Sequence, residues 1–398
     1  MSDQCDVVVI GAGAAGMMCA SVAGQRGRRV VLIDHADKLA EKIRISGGGR
    51  CNFTNADAAP QNYLSHNPHF CRSALSRYTS QDFITLVKRY RIPFHEKHKG
   101  QLFCDRSAED IIQMLKAECG AGQVQWRMPT TVKSIAREGE SFRLSTTTGE
   151  IITDKLVIAT GGLSIPKIGA TDFAFRIAKQ FDVPIIETRP GLVPLTFDEA
   201  AWTPFVPMAG ISLEIDIETG EKKSRGQFRE DLLFTHRGLS GPAVLQISSY
   251  WREGADMSLN LLPGLDVTTA LIEGKREIRR TLGNWLSQYL PARLSEAWLL
   301  AHDLKPDARV PDLPDKTLRR LGESLNGWRI RPNGSEGYRK AEVTLGGVDT
   351  RALSQQDMSV KALPGLHFVG EAVDVTGWLG GYNFQWAWAS GVAAGLSV

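Results

Sequence analysis

The hydrophobic pattern divides this chain into recognisable pieces. Asp6-Val7-Val8-Val9-Ile10 is an apolar, β-branched run without a turn residue, and it predicts a buried strand. The small-residue stretch that follows, through Met17, Ala20 and Val22, predicts a helix, and Arg29 to Ile33 a second strand. Asp82 to Tyr90 is amphipathic at helical spacing, and Ser107 to Glu118 reads as a helix opened by a capping box, Ser107 to Asp110. Alternating runs at Val124–Trp126, Phe142–Ser145 and Ile151–Ile152 predict a small meander of strands. Leu156-Val157-Ile158-Ala159-Thr160-Gly161-Gly162 is again a buried strand stopped by glycine.

Pro184, Pro190 and Pro194 then mark a boundary. From about 191 to 263 the pattern is turn-rich and strand-like, consistent with a small barrel or sandwich, and from Val267 to about Leu325 it is helical and charged. The apolar run Leu366-His367-Phe368-Val369 reaches Gly370-Glu371. A glycine-rich turn, Gly377 to Tyr382, then leads into an apolar helical tail, Asn383 to Ala394. The expected organisation is α/β, with a nucleotide domain built from both chain ends, 1–190 and 341–398. A β-barrel-like domain (191–265 and 326–340) and a helical domain (266–325) are inserted into it.

The first strand runs directly into Gly11-Ala12-Gly13-Ala14-Ala15-Gly16. In a dinucleotide fold Gly11 permits the tight turn, Gly13 lets a pyrophosphate approach the backbone, and Gly16 lets the helix pack on the strand. Asp34 closes the second strand at the spacing of a carboxylate that holds ribose hydroxyls, and an acid there favours FAD or NAD over a phosphorylated ribose. At the other end, turn glycines before a helix make a site for an anion or an electron-rich carbonyl. A second GxGxxG after a strand is absent, so NADH or NADPH, if used, is expected to bind transiently.

Composition narrows the class further. A hydrophobic content of 42% with 23% charged residues is that of a globular protein, and no apolar run approaches a membrane span. A cytoplasmic location is expected. The six cysteines stand singly, without zinc-site or CxxC spacing, so no metal is expected. Net charge is only +3, yet between Lys42 and Arg106 about eleven Lys/Arg face about four acids. Aromatic residues (Phe53, Tyr63, Phe70, Tyr78, Phe83, Tyr90, Phe94, Phe103) interleave with these charges. The segment reads either as a solvated basic face over a core or as a surface for RNA or phosphate.

Six motifs together carry a family resemblance: IGAGAAG at 10–16, SGGGRCNFTN at 46–55, ATGGLSIPKIG at 159–169, LLFTHRGLSGPAVLQIS at 232–248, AEVTLGGV at 341–348 and GEAVDVTGWLGGYNFQWAWASG at 370–391. Over nearly its whole length the chain resembles the BaiN-like FAD-dependent flavoproteins, and within them the bacterial enzymes that form dihydrouridine in large-subunit ribosomal RNA. The resemblance implies a two-dinucleotide-type FAD domain with an inserted β-barrel domain and a helical domain. It places the adenosine diphosphate on Gly11, Gly13, Ala14, Ala15, Gly16 and Asp34. Arg44, Gly49, Arg50 and Cys51 would lie beside the pyrophosphate and flavin, and Thr160 and Gly161 where the chain crosses back near the cofactor. Gly370 and Glu371 would face the ribityl chain, the glutamate standing where relatives often carry Asp. Gly380, Gly381, Tyr382 and Asn383 would face the pyrimidine edge.

Dihydrouridine formation requires a hydride at uracil C6, delivered by reduced flavin, and a proton at C5 from a donor on the protein. Cys51, beside the expected flavin loop, is one candidate donor, and His236 is another. Arg237 could hold a phosphate or a uracil carbonyl. Tyr382 and Trp378 are candidates for flavin contact, whereas Trp386 and Trp388, at helical spacing, also read as core. Partners implied are large-subunit ribosomal RNA or an assembly intermediate, with NAD(P)H as reductant. Two other readings stay open: a small-molecule flavin reductase or amine oxidase, and a flavin-bearing RNA-binding assembly or sensor protein without catalysis.

Overall fold

The computed structural model describes residues 3–398, which divide into two compact units, 3–189 with 343–398 and 190–342. The first is organised on one sheet. Its strands are β1 (Asp3–Ile10), β2 (Val30–Ile33), β3 (Gln125–Arg127), β4 (Val132–Glu138), β5 (Ser141–Thr146), β6 (Gly149–Ile158) and β7 (Leu366–Phe368). The order is β3-β2-β1-β6-β5-β4, with β7 also paired to β6. The pairs β1–β2, β1–β6, β2–β3 and β6–β7 are parallel. The long β6 divides its outer edge: Gly149 to Thr153 pair antiparallel with β5, and Leu156 to Ile158 pair parallel with β7.

Two expectations change here. Val124–Trp126 was grouped with a meander, but Gln125–Arg127 is the parallel edge strand beside β2. Three residues carry no mark of their partner, so alternation alone cannot assign one. The helix after Ser107 is Glu109–Ala121 and has no side-chain cap, because the Ser107 hydroxyl accepts from Glu109 N (3.1 Å) rather than from Asp110. The capping box belongs to the preceding helix, Ser80–Arg89, where Thr79 and Asp82 bond reciprocally.

Helix α1 (Ala14–Gln25) packs against α2 (Tyr382–Gly395), the last helix of the chain. Both are apolar on nearly every face, the signature of an enclosed helix. Their approach is close enough that a Cβ on Gly391 would sit 2.6 Å from Ala15 O, and one on Gly395 2.7 Å from Cys19 O. The first and last helices are therefore locked together, and their N-termini follow the two glycine turns.

The second unit carries a seven-stranded antiparallel sheet in the order Trp328–Ile330, Met257–Asn260, Ser212–Thr219, Gly226–Thr235, Gly238–Ser240, Leu195–Thr196, Gly334–Ser335. Helix Gly241–Ser248 packs on this sheet, and the unit also holds helices Glu199–Trp202, Val267–Glu273, Leu282–Leu286, Ala292–Ala301 and Asp315–Asn326. Trp202, Phe205, Phe234, Trp298 and Trp328 pack ring against ring in its core.

Candidate cofactor and substrate site

The C-terminal ends of β1, β2 and β6 create the first half of the site. Gly11 N–H donates to Ile33 O (2.8 Å), which turns the chain sharply out of β1. Gly11 has φ +111°, and a Cβ there would lie 2.5 Å from Ala159 O. A Cβ on Gly16 would lie 1.8 Å from Gly11 O, so turn and helix permit no side chain at either position. Gly13 differs: no atom lies within 4 Å of where its Cβ would be. It caps α1 with no side-chain bond to the helix N–H groups. Bare N–H groups beside open space are what an anionic pyrophosphate requires. Asp34 is held by Ala12 N (2.6 Å) and Ala36 N (2.9 Å), which leaves each carboxylate oxygen a further lone pair for a hydroxyl.

Two further observations favour a cofactor here. Thr160 Oγ1 is buried without a hydrogen-bond partner, and Gly161 (φ +73°) has open space where a Cβ would stand. A buried orphan hydroxyl costs about 1–3 kcal/mol unless something binds it. The residues present thus fit a dinucleotide.

A polar cluster not anticipated from the sequence joins the two chain ends. Lys42 Nζ bonds to the Glu371 carboxylate and to Ser164 Oγ (2.6 Å). Glu371 Oε1 also accepts from Ser164 Oγ (2.9 Å) and Thr344 N (3.0 Å), while Thr344 Oγ1 accepts from Leu163 N (2.8 Å). Both Glu371 oxygens therefore have protein partners. The carboxylate fastens the loop after β6 to the turn at Gly370, which itself donates to Ser390 Oγ and accepts from Trp386 Nε1 (both 3.0 Å).

The closing turn is similarly self-contained. Asn383 accepts from Gly377 N (2.8 Å) and donates to Gly377 O and Trp378 O (2.9 and 3.2 Å), so its amide shapes the turn rather than facing a ligand. Gly380 (φ +112°) and Gly381 (φ +95°) are in left-handed backbone, and a Cβ on Gly381 would meet Thr54 at 2.3 Å. Tyr382 is buried, its ring edge-on to Tyr63 and its carbonyl accepting from Tyr63 Oη (3.0 Å). Trp386 and Trp388 are fully buried core residues, Trp388 stacking on Phe83 at 4.4 Å.

The loop 46–51 runs through three left-handed glycines, Gly47 to Gly49, with Gly49 O accepting from Ala108 N (2.7 Å). Arg50 is exposed and makes no ion pair among the described residues; Arg44 pairs with Glu41 and Glu109. Cys51 is fully buried, and burial pushes its thiol far above the ordinary range. Its sulfur has no exposed surface and is packed within the loop. His236 is exposed, between strands Gly226–Thr235 and Gly238–Ser240 of the second unit, and Arg237 beside it pairs with Glu336 at 3.2 Å.

The basic, aromatic stretch also resolves. Phe53, Tyr63, Phe70, Phe83 and Phe103 are buried and build core, while Tyr78, Tyr90 and Phe94 are half-buried and pack against it. Arg44, Arg89 and Arg106 are paired with carboxylates, whereas Arg50 and Arg72 are exposed without one among the described residues. Among the described residues no cluster of His, Cys, Asp or Glu could hold a metal, and no helix is long and apolar enough to cross a membrane.

The model of the HI0933-like protein Rossmann domain matches residues 5–397. The chain belongs to the HI0933-like family. Within that family it is 50% identical, over 98% of its length and 96% of the other's, to a protein of Escherichia coli K12 named ribosomal RNA dihydrouridine synthase. It is 43% identical over its full length, and 99% of the other's, to a Haemophilus influenzae protein of the same name. Among solved structures, a 3-ketosteroid-Δ4-(5α)-dehydrogenase from Rhodococcus jostii RHA1 aligns over 99% of this chain and 97% of its own, at 13% identity and a TM-score of 0.49. This HI0933-like chain is a Rossmann-type, FAD-binding oxidoreductase.

Proposed function

We propose that this protein reduces a specific uridine of large-subunit ribosomal RNA to dihydrouridine, with NADH or NADPH as the electron source. The observation that carries the reading is 50% identity over nearly the full length of the E. coli protein of that name. The FAD-type site described above is consistent with it. Bound, reduced FAD supplies the reducing equivalents.

The chain's own residues do the rest. The α1 N-terminus and Gly13 take the pyrophosphate, Asp34 the adenosine ribose, and Thr160 and Gly161 line the crossing beside them. The Lys42–Glu371 cluster holds the loop after β6 and the Gly370 turn at fixed spacing, and these two loops would hold the ribityl chain. Gly380 and Gly381, at the α2 N-terminus, would hold the pyrimidine edge. With Cys51 enclosed, the exposed imidazole of His236 is the proton donor for uracil C5. Arg237 exchanges Glu336 for a substrate phosphate or carbonyl.

Ribosomal RNA from a strain lacking the gene, digested and compared by mass spectrometry, is expected to lack one dihydrouridine that plasmid-borne enzyme restores. An unchanged uridine pattern overturns the proposal. His236→Ala is expected to lower RNA-dependent flavin reoxidation about 100-fold or more, the usual contribution of a positioned acid. Its FAD spectrum should stay unchanged.

A further inference from the structure

A groove of about 880 Å³ opens on the first unit, lined by Gln61, Tyr63, His69, Arg72, Ser73 and Gln355 among others, with no carboxylate in its lining. That volume lies in the roughly 300–1,000 Å³ range of ligand sites and suits a short stretch of a single strand. Arg72 and His69 are exposed and take part in no ion pair among the described residues. The remaining polar lining consists of amides and hydroxyls, which can donate to phosphate oxygens and to 2′-hydroxyls alike.

Its walls are fixed. Arg77, on the same helix as Arg72, donates to Ser73 O (3.2 Å) and to Gln356 O, which ties that helix to the 354–357 turn. Tyr63 and Leu64 pair antiparallel with Gly377 and Thr376, and Trp378 N donates to Asn62 O (3.0 Å). The wall of the groove is thus the strand paired with the one that leads into the closing turn of the cofactor site.

We propose that this groove binds the single-stranded RNA flanking the target uridine, with Arg72 and His69 against consecutive phosphates. The inference rests on the RNA reading above and deepens it. Charge complementarity favours the RNA backbone: the groove offers the Arg72 guanidinium and hydrogen-bond donors with no carboxylate among its lining residues, and Pro60, Pro68 and Tyr63 supply apolar surface for a base. The adjoining strand pairing explains how a backbone held here would present its neighbouring base at the cofactor wall.

The test is binding of the FAD-loaded enzyme to protein-free large-subunit ribosomal RNA from a strain lacking it, measured across a salt series. Arg72→Glu and His69→Glu are expected each to weaken binding about tenfold at 0.1 M salt. The slope of log affinity against log salt should fall by about 1 for Arg72→Glu. Lys133→Glu, an equal charge reversal on the exposed strand β4, should match wild type. Melting temperature and flavin absorbance verify that each variant is folded and loaded. Wild-type affinity and slope in both groove variants overturn the groove while leaving the RNA reading intact. No binding or modification by wild type overturns both. Unchanged binding to naked RNA with lost binding to assembly particles identifies a protein occupant instead, and also overturns it.

Discussion

Lys42 and Glu371, 329 positions apart, form an ion pair whose carboxylate also gathers Ser164 and the Thr344 backbone. The lysine side chain is 37% exposed and the glutamate 18%, so solvent screens the charge and the hydrogen bonds matter more. Glu371→Ala should destabilise the fold by about 1–3 kcal/mol, since it orphans the Thr344 N–H. Lys42→Ala should cost about 1 kcal/mol or less. Both should release FAD more readily, read as a higher Kd for FAD added to apoprotein. Equal melting curves and unchanged FAD affinity would show the cluster to be incidental.

Gly13 and Gly16 stand three residues apart in one motif and should fail in different ways. Gly16→Ala drives a methyl into Gly11 O and should cost about 3 kcal/mol or more, seen as loss of soluble protein. Gly13 has φ −88° and open surroundings, so Gly13→Ala should leave the apoprotein's melting within about 0.5 kcal/mol of wild type. Its methyl would occupy space meant for the pyrophosphate, weakening FAD about tenfold. Isothermal titration of the apoprotein separates the two effects.

His367 lies buried in β7 with an unpartnered Nδ1, and burial lowers its pKa from 6.5 to about 4; nearby Asp357 opposes that shift, and Lys155 adds to it. Folding thus favours the neutral ring. The contribution is complete above pH 6.5 and is lost as pH falls toward 4, about 3 kcal/mol in all. Wild type should therefore lose more melting temperature than His367→Phe between pH 7 and pH 4.5. Parallel curves for the two proteins would count against it.

All six cysteines are free and buried. A thiol reagent such as DTNB should find no fast-reacting group in the native protein and six after denaturation. Cys51→Ala should retain RNA-dependent turnover and lose about 1 kcal/mol of stability. A large fall in turnover with an intact flavin spectrum would restore Cys51 as the acid.

What the sequence discloses here is local. The strand, the glycine turn and Asp34 each announce themselves, because turn geometry and a buried strand constrain adjacent residues. Partnership across distance leaves no such trace. Lys42 reads as one more surface cation until Glu371 meets it, and Gln125–Arg127 gives no hint that β2 lies beside it. The interleaved aromatics stay ambiguous in sequence for a related reason: alternation with charges describes an amphipathic covering as well as a nucleic-acid surface, and burial shows which rings belong to the core.

The bond from Glu342 N to Leu192 O, 3.1 Å long, brings together the two ends of the 190–342 unit. That whole unit departs from and returns to its host at neighbouring positions, as a hairpin loop would. A short turn could bridge the same gap, since closing a loop grows costlier only slowly with its length. The cofactor half could thus keep its sheet while a lineage exchanged the other half wholesale, acquiring a new substrate without rebuilding the chemistry.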